Sequence, residues 1–471
     1  RRVASYNEEI LVMTEVRINA LSRREFLQES ATLSTVGIAA LEATSAHAQA
    51  NPAPLRIGII GPGSQGQFDL KKAIKVPGVT CVAAADILDL NLNAAQKIAQ
   101  IPDDKLYSDY RRLLDDKSID AVMVTVPLPL HAKVTIDALN AGKHVFCEKL
   151  MAYTIEDAKE MARTAKRTGK ILQIGHHRAS SIGYNHAYEL MNTKQVCGKV
   201  THVRAQWNRN GAWRRSIPGQ AKMLAGREYW HDMEHLVNWR LYKRTSHGLM
   251  AELGSHQIHV TNWFLNAVPH AVMGVAGIDY WKDGRDVWDN VQCIYEYPNG
   301  VKVTYQSLTT NQFDGFQEEF MGDKGTLITT VGDGNMDKGL LYREPKAETL
   351  DWAQFTSKEK GANGKEGIVL NASATKKLNT GAKIGETTLS TTGDGKDAYD
   401  LEFYNWAASI REGKKVFCDY MEGLRACVAT IKANEAMTKS TRVEIPAHLY
   451  RAVAEILAYI QRMLGKLPGK A

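Results

Sequence analysis

Apolar residues recur along this chain with two different periods, and the change from one to the other divides it. Between residues 55 and 174, short apolar runs at 55–60, 79–85, 120–126, 144–147 and 170–174 alternate with stretches of helical character at 67–74, 91–100, 109–114, 132–141 and 155–168. Runs with little polar alternation predict strands covered on both faces, and their alternation with helices predicts a doubly wound parallel sheet over residues 51–175. Beyond Gly175 a helix is expected at 184–191. Period-two runs follow at 199–207, 272–278, 291–297, 302–308, 316–321 and 326–331, with a turn at Pro298-Asn-Gly300. These predict a second, α+β domain over 176–440 built on a mostly antiparallel sheet, for an α/β fold overall. Residues 356–397, rich in Gly, Lys, Thr and Ser without an apolar period, predict a long mobile loop. Helices are expected at 398–411, 420–438 and 447–464. The last, within a C-terminal segment 441–471, carries an apolar face suited to packing on a neighbour.

The first strand runs straight into Gly61-Pro-Gly63-Ser64-Gln65-Gly66. Gly61 permits the tight turn, Gly63 lets the backbone approach a pyrophosphate, and Gly66 lets helix and strand pack closely, with the phosphates at the helix N-terminus. The second strand ends in Asp86, where a carboxylate would accept from both ribose hydroxyls and repel a 2′-phosphate. The cofactor expected is therefore NAD rather than NADP.

At 471 residues the chain has length for two sizeable cores. Its formal charge of +7 comes from basic residues interleaved with acids, which argues against a nucleic acid partner. Six scattered cysteines without a C-x-x-C pair read as core thiols, with neither a zinc site nor a disulfide framework expected, so no metal is assigned. Residues 1–50 stand apart. Ser22-Arg-Arg-Glu-Phe-Leu27 has the twin-arginine form, and small residues and Ala46-His-Ala48 follow, predicting a signal peptide and export to the periplasm or beyond. No later run has the apolar length of a membrane span.

The candidate chemistry gathers at strand ends. Pro127 and His131 follow the strand at 120–126, and Glu148-Lys149 follow that at 144–147. His176 and Arg178 come directly after 170–174. Seven of the nine tryptophans lie between Trp207 and Trp288, interleaved with Arg and Asn, as in Trp213-Arg214 and Tyr229-Trp230. Such faces suit a sugar, whose CH faces stack on rings while its hydroxyls need planar donors and acceptors. Glu252 and His256 are four residues apart and would share a helix face.

The pieces Gly61-x-Gly63-x-x-Gly66, Thr125-x-Pro127…His131-Ala132, 142-GKHVFCEK-149 and Gly175-His176 resemble the Gfo/Idh/MocA family of sugar oxidoreductases. Leu150 stands where that family carries a proline, Glu252 where it carries Asp, and His259 where a second Asp commonly follows. The resemblance implies that His256 is the acid/base group, that Lys149 and Glu252 complete the catalytic set, and that the second sheet forms a homo-oligomer interface. It implies cofactor contacts from Gly61, Gly63, Ser64, Gln65, Gly66, Asp86, Pro127, His131, Glu148, Lys149 and His176. Substrate contacts are expected from Arg178, Trp213, Arg214, Tyr229 and His256. The sequence is also similar to exported NAD-dependent glycosidases of the α-N-acetylgalactosaminidase type. Three functions fit: an NAD-dependent sugar or polyol oxidoreductase with tightly held cofactor, a glycosidase that oxidises and re-reduces its substrate, and a cofactor-binding sensor without turnover.

Overall fold

The computed structural model describes residues 54–219, 222–226, 230–330, 338–350, 357–360, 364–371 and 396–452. The expected signal segment and Tyr229 lie outside them.

The first domain is a six-stranded parallel sheet in the order β3-β2-β1-β4-β5-β6. Its strands are β1 (Leu55–Ile60), β2 (Val79–Ala85), β3 (Leu106–Tyr107), β4 (Ala121–Val124), β5 (His144–Cys147) and β6 (Leu172–Ile174). The helices between them are α1 (Ser64–Ala73), α2 (Asp89–Ala99), α3 (Tyr110–Asp115), α4 (His131–Asn140) and α5 (Ile155–Thr168). Local chemistry sets their ends. Thr154 caps α5 by accepting from the Asp157 N–H, and Gly169 closes it in the left-handed conformation. β1 lies centrally because Ile57, Ile59 and Ile60 find apolar cover on both faces of the sheet. The strand order reverses between β1 and β4, which opens a crevice at their C-terminal ends.

One cover of that sheet comes from far along the chain. Helix α9 (Ala398–Glu412) buries Phe403 and Trp406 with Ile57, Ile59, Leu70 and Phe146. Chain order places α9 in the second domain, but its apolar face packs on the first. It is pinned there by Lys72, whose ammonium reaches Asp397 at 2.6 Å and Asp400 at 3.0 Å.

Among the described residues the second domain carries a ten-stranded sheet of β7 (Val200–Asn208), β8 (Ala271–Gly277), β9 (Asn290–Glu296), β10 (Lys302–Leu308), β11 (Phe316–Gly322), β12 (Gly325–Thr329), β13 (Lys338–Arg343), β14 (Lys358–Lys360), β15 (Glu366–Asn371) and β16 (Val443–Glu444), in the order β14-β15-β13-β12-β11-β7-β10-β9-β8-β16. Among the described strands of this sheet only β7 and β10 pair in parallel. The other pairs, among them β8 (Ala271–Gly277) with β9 (Asn290–Glu296), are antiparallel. α6 (Ile182–Asn192), the short α7 (Met233–Val237), α8 (Ser255–Leu265) and α10 (Tyr420–Lys439) complete the described helices. Within the stretch expected as a mobile loop, Lys358–Lys360 forms β14 and Glu366–Asn371 forms β15, which pairs with β13 (Lys338–Arg343). Ile368, Val369 and Leu370 are buried there, an apolar run too short to register against its Gly/Lys surroundings. Residues 356, 361–363 and 372–395 of that loop lie outside the described residues. So does most of the expected last helix. Its start is corrected: Ala447–Tyr450 is a single 3-10 turn, and Arg451 is extended. Among the described residues no helix is long and apolar enough to cross a membrane.

Candidate active site

The crevice is built from backbone first. Gly61 sits at φ +87°, and a Cβ there would stand 2.8 Å from the Val126 amide nitrogen. At Gly66 it would meet the Gly61 carbonyl at 2.7 Å and the Thr125 hydroxyl. The nearest atom to a Cβ on Gly63 is 4.0 Å away, so the space above that residue is open. Gly63 is also the N-cap of α1, whose first turn turns unpaired N–H groups toward this opening. Ser64 is exposed at the helix start, and Pro127 begins a 3-10 turn beyond β4.

Asp86, at the end of β2, accepts from the Leu88 N–H at 2.8 Å and the Asn91 amide at 3.0 Å. Burial pushes its carboxyl up to about 6. Ribose hydroxyls donate to the ionised form, so bound NAD favours the charged carboxylate. NAD affinity is therefore expected to be level above pH 6 and to weaken by up to about tenfold per pH unit below it. Calorimetric titration across that range checks this, and a Ser at position 86 should remove the dependence.

Gln65 donates its amide to Asp69 at 2.8 Å, and the His131 ring, kept neutral by burial, has Nδ1 and Nε2 each 2.8 Å from a backbone carbonyl, of Leu150 and Val126, and donates its single N–H to one of them. As placed, these two residues brace the cradle with the polar atoms expected to reach a cofactor.

At the end of β5, the Lys149 ammonium donates to the Glu252 carbonyl at 2.8 Å and lies 3.8 Å from the Glu252 carboxylate. The Lys149–Leu150 peptide is cis. Glu252 is buried, which pushes its carboxyl up, but Lys149 and Arg240, the latter at 2.7 Å, hold it below its usual range. The helix carrying Glu252 begins with a π-helical turn, Met250–Gly254, before α8. Across that turn the four-residue spacing does not make the expected contact. The Glu252 carboxylate turns to Arg240 and Lys149, whereas His256 packs on His176, His177 and Trp207 with ring centroids 5.6, 4.9 and 5.6 Å apart. Burial first, then Arg178 and Lys149, push His256 well below its usual range, so it is neutral at physiological pH. Its Nδ1 has no hydrogen-bond partner among the described residues.

Behind Lys149 sit carboxyls that the sequence reading missed. Burial and then Glu148 push Asp69 well above its ordinary value, and burial followed by Glu148 and Asp69 does the same to Glu402. Both lie on helix faces, where an acid reads as solvent-facing. Tyr399 also joins the site, stacking on His177 at 4.0 Å and meeting Phe68 edge-on at 4.9 Å. The His176-His177 pair directly after β6 was the available signal for His177.

Several expected substrate contacts are occupied elsewhere. Arg178 is wholly buried between the rings of Trp207 and Phe316, at 4.9 and 4.8 Å, and faces the equally buried Glu318 at 4.0 Å. It balances a charge in the interior instead of reaching a ligand. Arg178→Met should therefore destabilise the fold by about 3 kcal/mol, the low end for an unpaired buried charge, because burial already raises Glu318 toward protonation. Denaturant unfolding reads this; an unchanged midpoint with weakened sugar binding would return Arg178 to the substrate. Arg214 is engaged by Glu234 and Asp283, with its Nε 3.3 Å from the Asp283 carboxylate. Trp213 is half-buried beneath the Arg209 guanidinium, 5.0 Å from its ring. The aromatic stretch thus braces itself, and one segment of it reaches the first domain through an isolated bridge between Met223 and Leu88. Lys222 donates its N–H to Asp89 at 2.8 Å, and Leu224 donates to the Ile87 carbonyl at 2.7 Å, immediately beyond Asp86.

Two family models match the chain. One, described as the Gfo/Idh/MocA oxidoreductase family NAD-binding Rossmann fold, covers residues 55–176; the C-terminal alpha/beta domain of the same family covers 218–445. Inositol 2-dehydrogenase of Salmonella typhimurium is 30% identical over 214 residues, 45% of this chain and 55% of that protein. The 1,5-anhydro-D-fructose reductase of Ensifer adhaerens is 27% identical over 229 residues, 48% of this chain and 61% of that protein. The chain thus spans little more than half the length of these curated relatives. Among solved structures, levoglucosan dehydrogenase in complex with NADH and levoglucosan superposes with a TM-score of 0.64 at 18% identity, over 83% of this chain and 100% of that one. The aldose-aldose oxidoreductase of Caulobacter crescentus complexed with glycerol gives 0.62 at 17%, over 83% and 100%. At these identities the likeness is one of fold.

Proposed function

The chain belongs to the Gfo/Idh/MocA oxidoreductase family, and from that premise we propose that it oxidises a hydroxyl of a sugar or polyol using NAD held in the crevice between β1 and β4. The observation that carries this reading is Lys149, delivered by β5 to the edge of the cofactor crevice and met there by Glu252 from the second domain. NAD supplies the hydride acceptor. Lys149 places a positive charge where the substrate oxygen becomes negative as its C–H hydrogen leaves with the electron pair. Neutral His256 takes the hydroxyl proton at a ring nitrogen. Arg240 and Glu252 fix the Lys149 ammonium, acting as positioning residues.

The segment Lys222–Leu224 lies beside Asp86, where the adenosine ribose would sit, and supports a tightly retained cofactor. Retention suits export through the twin-arginine segment of residues 22–27, because a protein outside the cytoplasm has no NAD pool to draw on. A homo-oligomer through the second sheet belongs to the same proposal, supported by Met273, Val275 and Ile294, exposed on the outer face of β8 and β9.

The test begins with gel-filtered protein, denatured so that released nucleotide can be counted by mass spectrometry. It continues with a panel of hexoses, inositols and anhydrosugars, followed by NADH absorbance, and with aryl glycosides. Near-stoichiometric NAD(H) and reduction by one class of polyol support the proposal. Aryl-glycoside cleavage without net NADH would replace it with the glycosidase, which begins with the same oxidation. Bound NAD that no sugar reduces or oxidises would replace it with a sensor.

A further inference from the structure

Beside the hydride site, where the His259 ring stacks on His176 at 4.6 Å, three donors of different chemistry converge from two elements: His259 on α8, and Cys418 and Glu422 just before and in the first turn of α10. One ligating atom from each lies within 4.8 Å of the others. We propose that His259, Cys418 and Glu422 form a site for a divalent transition-metal ion of the zinc class, tying α8 to the start of α10 beneath the row of histidines. The sequence reading assigned no metal because these ligands are scattered, with none of the close Cys/His spacings that announce a zinc site.

His259 is 3% exposed, and neither ring nitrogen has a hydrogen-bond partner among the described residues. Leaving such a group unpaired is costly, and metal coordination would remove that cost. Its Nε2 stands 3.9 Å from the Glu422 carboxylate, too far for a hydrogen bond. Two ligands on one tetrahedral zinc ion lie about 3.3–3.8 Å apart, so side-chain movements of an ångström or less would close the set. Glu422 is free to take part because Asp419 accepts from its N–H at 3.0 Å and caps the helix in its place.

The thiol decides the class of ion. Sulfur, imidazole and carboxylate together suit zinc or cobalt and disfavour magnesium and calcium. Binding converts the Cys418 thiol to thiolate and releases its proton to solvent. Three protein ligands leave a fourth position for water.

Cobalt(II) is the direct probe, because a cobalt–thiolate bond gives a near-ultraviolet charge-transfer band. The full chain, stripped with chelator and titrated with Co²⁺, should bind one equivalent with that band, and Zn²⁺ should displace it. Cys418→Ser should abolish the band and weaken binding by about 100-fold, and Glu422→Gln by about tenfold. NAD content of each variant reports whether it has folded. No band in the wild type at saturating Co²⁺ would overturn the proposal, as would a band unchanged in a folded Cys418→Ser. Neither outcome touches the hydride chemistry, which uses none of these three residues.

Discussion

Lys149→Ala is expected to slow hydride transfer by about 100- to 1,000-fold while leaving the protein folded and NAD bound. The magnitude is that of removing one preorganised charge from a developing oxyanion. The fold should survive because Glu252, which loses Lys149 at 3.8 Å, keeps Arg240 at 2.7 Å and so is not left as an isolated buried charge. Arginine should not rescue the loss, since its planar fork is larger and differently hydrated than an ammonium that must fit beside the Glu252 carbonyl. Single-turnover kinetics with the nucleotide counted in parallel reads both halves. Unimpaired turnover in the variant would remove Lys149 from the chemistry.

Gly61→Ala should nearly abolish cofactor binding for a different reason. The added Cβ would press on main-chain atoms, the Val126 nitrogen at 2.8 Å and the Thr125 carbonyl carbon at 2.9 Å, and these cannot rotate away. The backbone at φ +87° adds about 1–3 kcal/mol of strain for any side chain. Because these contacts lie on the β4 side of the crevice, the substitution spreads β1 from β4 and loses NAD affinity by about 100-fold or more, with a lowered melting temperature. Gly63→Ala is the informative contrast. It meets nothing closer than 4.0 Å, so melting of the free protein should barely move while NAD binding weakens, the new methyl standing where the pyrophosphate approaches. Equal effects from both substitutions would mean that the loop has only a structural role.

What could be read from the sequence followed how local the signal was. β1, the glycine turn and Asp86 are adjacent or one βα unit apart, and α5 from Ile155 to Thr168 was legible to the residue because its cap, apolar face and Gly169 stop are all written locally. The site in the second domain was legible only in part. Glu252 and His256 could be found by spacing, but a π-helical turn that nothing in the pattern announces sends their side chains to different partners. Arg214 and Arg178 looked like ligand-binding guanidiniums because their counter-charges, Glu234, Asp283 and Glu318, are distant in sequence or look like solvent-facing acids. Asp69 and Glu402 were invisible for the same reason. The packing of α9 on the first domain depends on Phe403 and Trp406 meeting Phe146, a contact with no local precursor.

In the proposed reaction a hydrogen leaves a carbohydrate carbon for NAD at the Lys149–His256 site. Tracing that hydrogen tests it most directly. The protein with its NAD, incubated with hexoses and inositols deuterated at carbon, should yield nicotinamide carrying deuterium at C4. The label should be absent or slowed by about 100-fold or more in Lys149→Ala. Nicotinamide that stays unlabelled with every deuterated sugar and polyol, in wild-type protein shown to hold NAD, would contradict the account.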